Sequence, residues 1–319
     1  MRKENINVLT IGKYIWQLLL LSRPEWGFIF SQVALMVALL YQLPIGSLIT
    51  SSVSIFLFSM GHFSLNGYYD KQSDALNPRG LSLRNPLTNS SQLQKHHIII
   101  WIILIWTLLI PLNLIMVPNS LSQPKLFLGF IAFTIGMTGS ILYSVPPFKF
   151  KARPILDILV TFLIVGLFIP FYIGLLGPST FVEFNLIGLG IILNIILISG
   201  IHLPTMLIDF DTDQKIGDKT TAVFLGKKKA RYLTASVVII RVFLLIVLNL
   251  HLMNIGLLIS NWTPFILGII EIIAVYNLLS RQDQEGALLL YRTIIITSGG
   301  GAVIFGLLYS PALLVAYGL

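Results

Sequence analysis

Apolar residues run along this chain in blocks of about twenty, each closed by a short polar or basic connection. A helix needs ~20 apolar residues to cross the hydrocarbon core of a bilayer. Nine blocks of that size are present, at residues 24–43, 46–66, 97–117, 126–145, 156–176, 185–208, 232–252, 262–280 and 287–308. Arg23-Pro24 opens the first, where the missing N–H of proline would be unpaired in any case. Pro170 predicts a kink in the fifth. Residues 1–13 read as a peripheral lead-in. Arg2 and Lys3 resemble the start of a secretory signal, but a polar stretch follows. The run at 15–21 then stops at Arg23 without a small-residue cleavage site.

Composition agrees with the pattern. Of 319 residues, 55% are hydrophobic and 11% charged, against about 25% charged in a soluble domain. Mean hydropathy is +0.87. The expected fold is an all-α integral membrane protein with nine transmembrane helices, one polytopic domain over 1–319. Its first half would cover 14–145 and its second 146–319. The absence of cysteine excludes disulfides and thiolate metal sites. The net charge of +8 is a matter of topology here rather than of nucleic acid. With nine spans, Lys71, Arg79, Arg84, Lys95, Lys149, Lys151, Arg153, Lys215, Lys219, Lys227, Lys228, Lys229, Arg231 and Arg281 fall on one side with the N-terminus. The other side offers only Lys125. The positive-inside rule then places the N-terminus in the cytoplasm and the C-terminus on the opposite side of a bacterial-type plasma membrane or its equivalent.

Two blocks end in acidic motifs on that same side. The first is Asn66-x3-Asp70-x3-Asp74. Steps of four keep these residues near one helix face, and carboxylates stacked there repel unless a cation relieves them. The second is Asp209-Phe-Asp211-Thr-Asp213, in which Asp211 reads as a solvated neighbour on another face. Their hard oxygen ligands suit Mg²⁺, which readily shares a site with substrate phosphates. Arg84, Lys149 and Lys151 lie in loops on the correct side to neutralise phosphate oxygens. The implied donor is a lipid diphosphate with its tail in a membrane-embedded apolar cavity. Loss of diphosphate would leave an allylic carbocation, sheltered from water and stabilised by aromatic rings such as Tyr68, Tyr69 and Tyr143. The motifs lie four blocks apart, so their placement suggests a four-helix pseudo-repeat.

The chain resembles the UbiA superfamily of intramembrane prenyltransferases. The resemblance is carried by Asn66-x3-Asp70-x3-Asp74 followed by Asn77 and Arg84-Asn85-Pro86-Leu87. It is carried also by Asp209-x3-Asp213-x3-Gly217-x2-Thr220-x2-Val223-x2-Gly226, by Arg23-Pro24, and by Tyr143-Ser-Val-Pro-Pro147 with Lys149. It covers about residues 20 to 310. Gly67 stands where the family often has aspartate. The resemblance implies nine helices around a central cavity, with Mg²⁺ bridging the diphosphate and Asp70, Asp74, Asp209 and Asp213. It assigns Asn66 to the metal–diphosphate site and the nearby basic residues, Arg23 among them, to phosphate contacts. The implied reaction moves a polyprenyl group from an allylic prenyl diphosphate to a hydrophobic acceptor at the cytoplasmic face. The acceptor stays open between aromatic, quinone-precursor, tetrapyrrole and isoprenoid compounds. A membrane terpene cyclase is the alternative within the same chemistry. A transporter with a midplane site fits less well, because the acidic motifs lie at one interface, and a scaffold would leave them unexplained.

Several residues carry two readings. His202 precedes Asp209 by two turns and reads as a cavity residue or a packed one. Arg241, Glu271 and Arg292 fall in or near later spans, where charge is functional or structurally paired. Lys227–Lys229 with Arg231 read as an anchor to anionic lipid. The run Gly299-Gly300-Gly301 reads as close helix packing. Trp16, Trp26, Trp101 and Trp262 fit interfacial belts.

Overall fold

The computed structural model describes residues 8–40, 43, 45–77, 85–88, 93–116, 123–169, 172–173, 202–254, 262–281 and 283–297. Arg84, Pro170, Gly299 to Gly301, the C-terminus and most of the sixth apolar block lie outside them. Every regular element described is helical. In chain order these are α1 (Val8–Leu21), α2 (Pro24–Leu40), α3 (Ile45–Tyr69), α4 (Lys71–Leu76), α5 (Lys95–Met116) and α6 (Gln123–Ser144). Then follow α7 (Leu156–Thr161), running into a π-helical stretch at Phe162–Phe168, then α8 (Leu203–Ile216), α9 (Thr221–Leu225), α10 (Lys227–Asn254) and α11 (Thr263–Ser280). Residues 284–297 form α12. Among the described residues, α3 and the Lys227–Val247 part of α10 are long and apolar enough to cross a membrane.

The outward faces are those of a protein in lipid. Helix α5 exposes Ile99, Ile100, Ile103, Leu104 and Leu108, and α11 exposes Ile266, Ile269, Ile270 and Ile273. In water such stripes would drive association; hydrocarbon covers them at no cost.

The chain divides into two compact units, one of residues 1–151 with 167–187 and the other of 152–166 with 188–319. In the first, α3 is the central element. It packs on α2, α5 and α6 through a face of small residues: Ser47, Ser51, Ser54, Gly61, Ser64 and Gly67 are all buried. Without a hydrophobic driving force between helices in lipid, close backbone approach supplies the attraction. Gly61 shows it directly, since a Cβ there would lie 2.1 Å from Trp106 Nε1. Helix α1 starts within the lead-in at Val8, and residues 11–13 are exposed. Ser22 Oγ lies 2.8 Å from Ser64 Oγ and accepts the Trp101 indole N–H at 2.8 Å. Trp26 is buried against Phe63, whereas Trp16 and Trp262 stand exposed.

The second unit has an apolar core of Leu207, Ile208, Val238, Leu278, Leu290 and Ile294 among others. Inside it lies an ionic network. Arg241 of α10 donates to Glu271 Oε2 of α11 at 2.7 Å, and Thr297 Oγ1 of α12 donates to Glu271 Oε1 at 2.5 Å. Arg241 and Glu271 are each 2% exposed, so the structural pairing holds for these two. Arg292 is exposed.

A charge buried alone costs far more than a satisfied pair. Glu271→Gln or Arg241→Met should each destabilise the protein by about 3–5 kcal/mol, read as a fall in thermal midpoint in detergent. The double variant Arg241→Met/Glu271→Leu should recover most of that loss, because Thr297 Oγ1 keeps its bond to the Ile294 carbonyl. Equal losses in single and double variants would show that the pair does not act as a unit.

Candidate active site

The first acidic motif sits where α3 gives way to α4. The helical hydrogen bonds carry through the join, Asp70 N–H to Asn66 O at 2.9 Å and Asp74 N–H to Asp70 O at 2.7 Å. Asp70 itself leaves the helical region at φ −95°, ψ 4°. The three side chains therefore divide between two partners. Asn66 Oδ1 accepts from Lys151 Nζ at 2.6 Å and from Ser144 Oγ at 3.2 Å, and the same ammonium pairs with Asp70. Asp74 turns to Arg23, whose guanidinium donates to Oδ2 at 2.5 Å. The repulsion expected between stacked carboxylates is met by one cation for each.

Both cations are delivered by loops. Lys151 follows α6 through Ser144-Val-Pro-Pro-Phe-Lys149, a loop with a cis Pro146–Pro147 bond. Lys149 takes a positive φ of 36° and is half-buried in this loop. Arg23 is the joint between α1 and α2. It is buried at a φ of +46°, a conformation that costs a non-glycine residue about 1–3 kcal/mol and persists where surroundings enforce it.

Asn85 completes this cluster. Only 1% exposed, its amide donates to Asp74 Oδ2 and to the Gly67 carbonyl, both at 2.8 Å, and its Oδ1 accepts the Leu87 N–H at 3.0 Å. Gly67 is required by this packing: a Cβ there would come within 2.7 Å of Leu21 Cδ1. Burial pushes the Asp74 carboxyl above the usual carboxylate range. Arg23 opposes this, the Asp70 charge adds to it, and the Asn85 hydrogen bond opposes it.

Tyr143 lies one residue before Ser144, its ring 5.8 Å from that of His62. Tyr68 goes elsewhere, into the apolar cluster of Leu21, Leu93, Ile98 and Ile102, and Tyr69 packs edge-on against it. The packing of Tyr68 against this cluster turns it away from the role expected of it.

In the second unit α8 carries Asp209 half-buried and Asp213 buried. Asp213 Oδ2 accepts from Thr220 Oγ1 at 3.2 Å. The helix stops at Gly217, whose φ of +82° suits glycine, and the turn continues to Thr220 at the start of α9. Asp157 of α7 fixes that turn: its carboxylate accepts the Thr221 N–H at 2.6 Å and the Thr221 hydroxyl at 2.5 Å. Asp211 is exposed and pairs with Lys227 at 2.8 Å, the solvated role expected of it. His202 is half-buried at the start of α8.

Three residues were not singled out from the sequence. Asn85 stands inside the Arg84-Asn85-Pro86-Leu87 stretch, Asp157 is a carboxylate opening an apolar block, and His62 precedes Asn66 by four. The last extends the step that marks the motif itself.

The donors fit Mg²⁺. Asn66, Asp70, Asp74, Asp209 and Asp213 offer only hard oxygen. Among the described residues no three acidic or histidine side chains gather into a cage. A closed nitrogen or sulfur cage would suit zinc. Sparse carboxylates suit a cation that keeps its waters and shares its shell with phosphate.

The UbiA prenyltransferase family model matches residues 26–296. No curated protein matches the sequence. Among solved structures, a UbiA homolog from Archaeoglobus fulgidus bound to GPP and Mg²⁺ is 18% identical. The likeness covers 89% of this chain and 99% of that one, with a TM-score of 0.57. A digeranylgeranylglyceryl phosphate synthase is 17% identical, with 96% and 100% covered and a TM-score of 0.60. A UbiA homolog from Aeropyrum pernix K1 is 15% identical, with 90% and 99% covered and a TM-score of 0.58. These likenesses show the fold, and the family match spans most of the sequence that bears both acidic motifs: the chain belongs to the UbiA prenyltransferase family.

Proposed function

We propose that this protein transfers a prenyl group from an allylic prenyl diphosphate to a hydrophobic acceptor, with Mg²⁺, at the cytoplasmic face of the membrane. The observation that carries this is the cluster of Asn66, Asp70 and Lys151 at the end of an apolar, membrane-length helix, in a chain of this family. Similar structures from Archaeoglobus fulgidus hold GPP or DMAPP together with Mg²⁺.

Asn66, Asp70 and Asp74 would be the metal ligands of the first motif, and Asp209 and Asp213 those of the second. Bound Mg²⁺ supplies Lewis-acid stabilisation of the charge that grows on the departing diphosphate. Lys151 and Arg23 are the cations best placed in the first unit to pair with its outer oxygens, and Lys149 and Arg84 are assigned the same role. Arginine gives a planar fork and lysine a point charge, so the two suit different phosphate oxygens. Apolar helix walls would exclude water, and Tyr143 is the aromatic ring assigned to the allylic cation. The acceptor then bonds to the cationic carbon. Within this reading the N-terminus is cytoplasmic and the C-terminus lies on the other side, as the basic connections suggest.

Purified protein in lipid should release diphosphate from GPP only with Mg²⁺. Asp70→Asn and Asp209→Asn should each lower that rate by roughly 100-fold or more. Asp211→Asn should change it little, as its exposed pair with Lys227 is a surface ion pair. Full activity in both motif variants would sink the transferase reading.

A pH dependence follows from the raised Asp74 pKa. Magnesium needs the ionised carboxylate, so binding releases a proton. Apparent Mg²⁺ affinity should therefore weaken as pH falls through that raised pKa, at a higher pH than an ordinary aspartate would give. Asn85→Ala removes a hydrogen bond to the ionised form and should move the acid limb higher still. Mg²⁺ titrations of diphosphate release at a series of pH values would show an unmoved limb if Asn85 does not act on Asp74.

A further inference from the structure

We propose that His62 is the base that takes the proton from the prenyl acceptor; this rests on the transferase reading above. On α3, His62, Asn66 and Asp70 follow one another at steps of four, so they share a face. His62 lies one turn, about 6 Å, further from the helix end than Asn66. A diphosphate held at Asn66, Asp70 and Lys151 places its allylic carbon on the apolar side, which is the level of His62 and Tyr143. The two rings are 5.8 Å apart, and Phe63 stands edge-on to His62 at 5.2 Å.

The His62 ring packs against two aromatic side chains and still keeps one polar atom unmet. Its Nδ1 is enclosed and hydrogen-bonds to nothing among the described residues, a costly arrangement for a core histidine. The residue as a whole is half-buried, and the substrate would meet it at Nε2. With hydrogen on Nδ1, Nε2 carries the free lone pair.

The C–O bond of the donor breaks and its electron pair leaves with diphosphate. A π pair of the acceptor forms the new bond to the allylic carbon. The hydrogen on the attacked atom leaves as a proton to His62 Nε2, and its bonding pair restores the acceptor's π system. The imidazolium later returns its proton to water.

The test uses full-length protein in lipid with GPP, Mg²⁺, a host lipid extract and a panel of phenols and naphthols, with products followed by mass spectrometry. In His62→Ala the prenylated product should fall by about 100-fold, and the ratio of prenyl alcohol, formed by water capture, to prenylated product should rise accordingly. Added imidazole should restore part of the product. GPP binding with Mg²⁺, followed by calorimetry, checks that the variant is folded, and His62→Gln should repeat the defect because an amide is no base. Unchanged product ratios in both variants, or wild-type protein that yields only prenyl alcohol, would overturn the role of His62 while leaving diphosphate chemistry standing. Wild-type protein that neither binds GPP nor releases diphosphate would overturn the transferase reading and this inference with it.

Discussion

Carboxylates partly withdrawn from water need compensating cations, and this requirement shapes the first unit. Asp70 and Asp74 lie within one turn of each other at the end of α3. Each has its own partner, Lys151 for one and Arg23 for the other. Desolvation makes an unpaired charge here cost several kcal/mol, so the loops that deliver these cations are as constrained as the helices. The α1–α2 joint takes a strained backbone at Arg23, and the loop after α6 bends sharply before Lys151.

The same need explains departures from the family pattern. Gly67 stands where an acidic residue is common. The space is taken by Leu21 from α1, and Asn85 reaches the Gly67 carbonyl and the Asp74 carboxylate together. A third carboxylate at 67 would meet both a packed leucine and two existing negative charges. In the second unit the turn after α8 is held by Asp157, which receives both the N–H and the hydroxyl of Thr221. The acidic motif there is thus braced by a carboxylate outside it.

Charge deeper in the second unit is a different case. Arg241, Glu271 and Thr297 come from three helices and satisfy one another in an apolar core. Their placement specifies which helix faces meet, a task that unpatterned apolar surface performs poorly in lipid.

Much of this protein was legible in the sequence. Block length, hydropathy and the sidedness of basic residues indicate helices in a membrane, because the bilayer sets a fixed thickness and leaves few other solutions. The steps of four in Asn66, Asp70 and Asp74 and in Asp209 and Asp213 mark faces, because helix geometry is local. What each face meets is not local. That Lys151 serves Asn66 and Asp70 while Arg23 serves Asp74, that Tyr68 turns into an apolar cluster, and that Arg241 finds Glu271 depend on contacts between residues 30 to 85 positions apart. Such contacts are decided by which helices pack and by how closely glycine and serine let them approach, and only the tertiary structure records that choice.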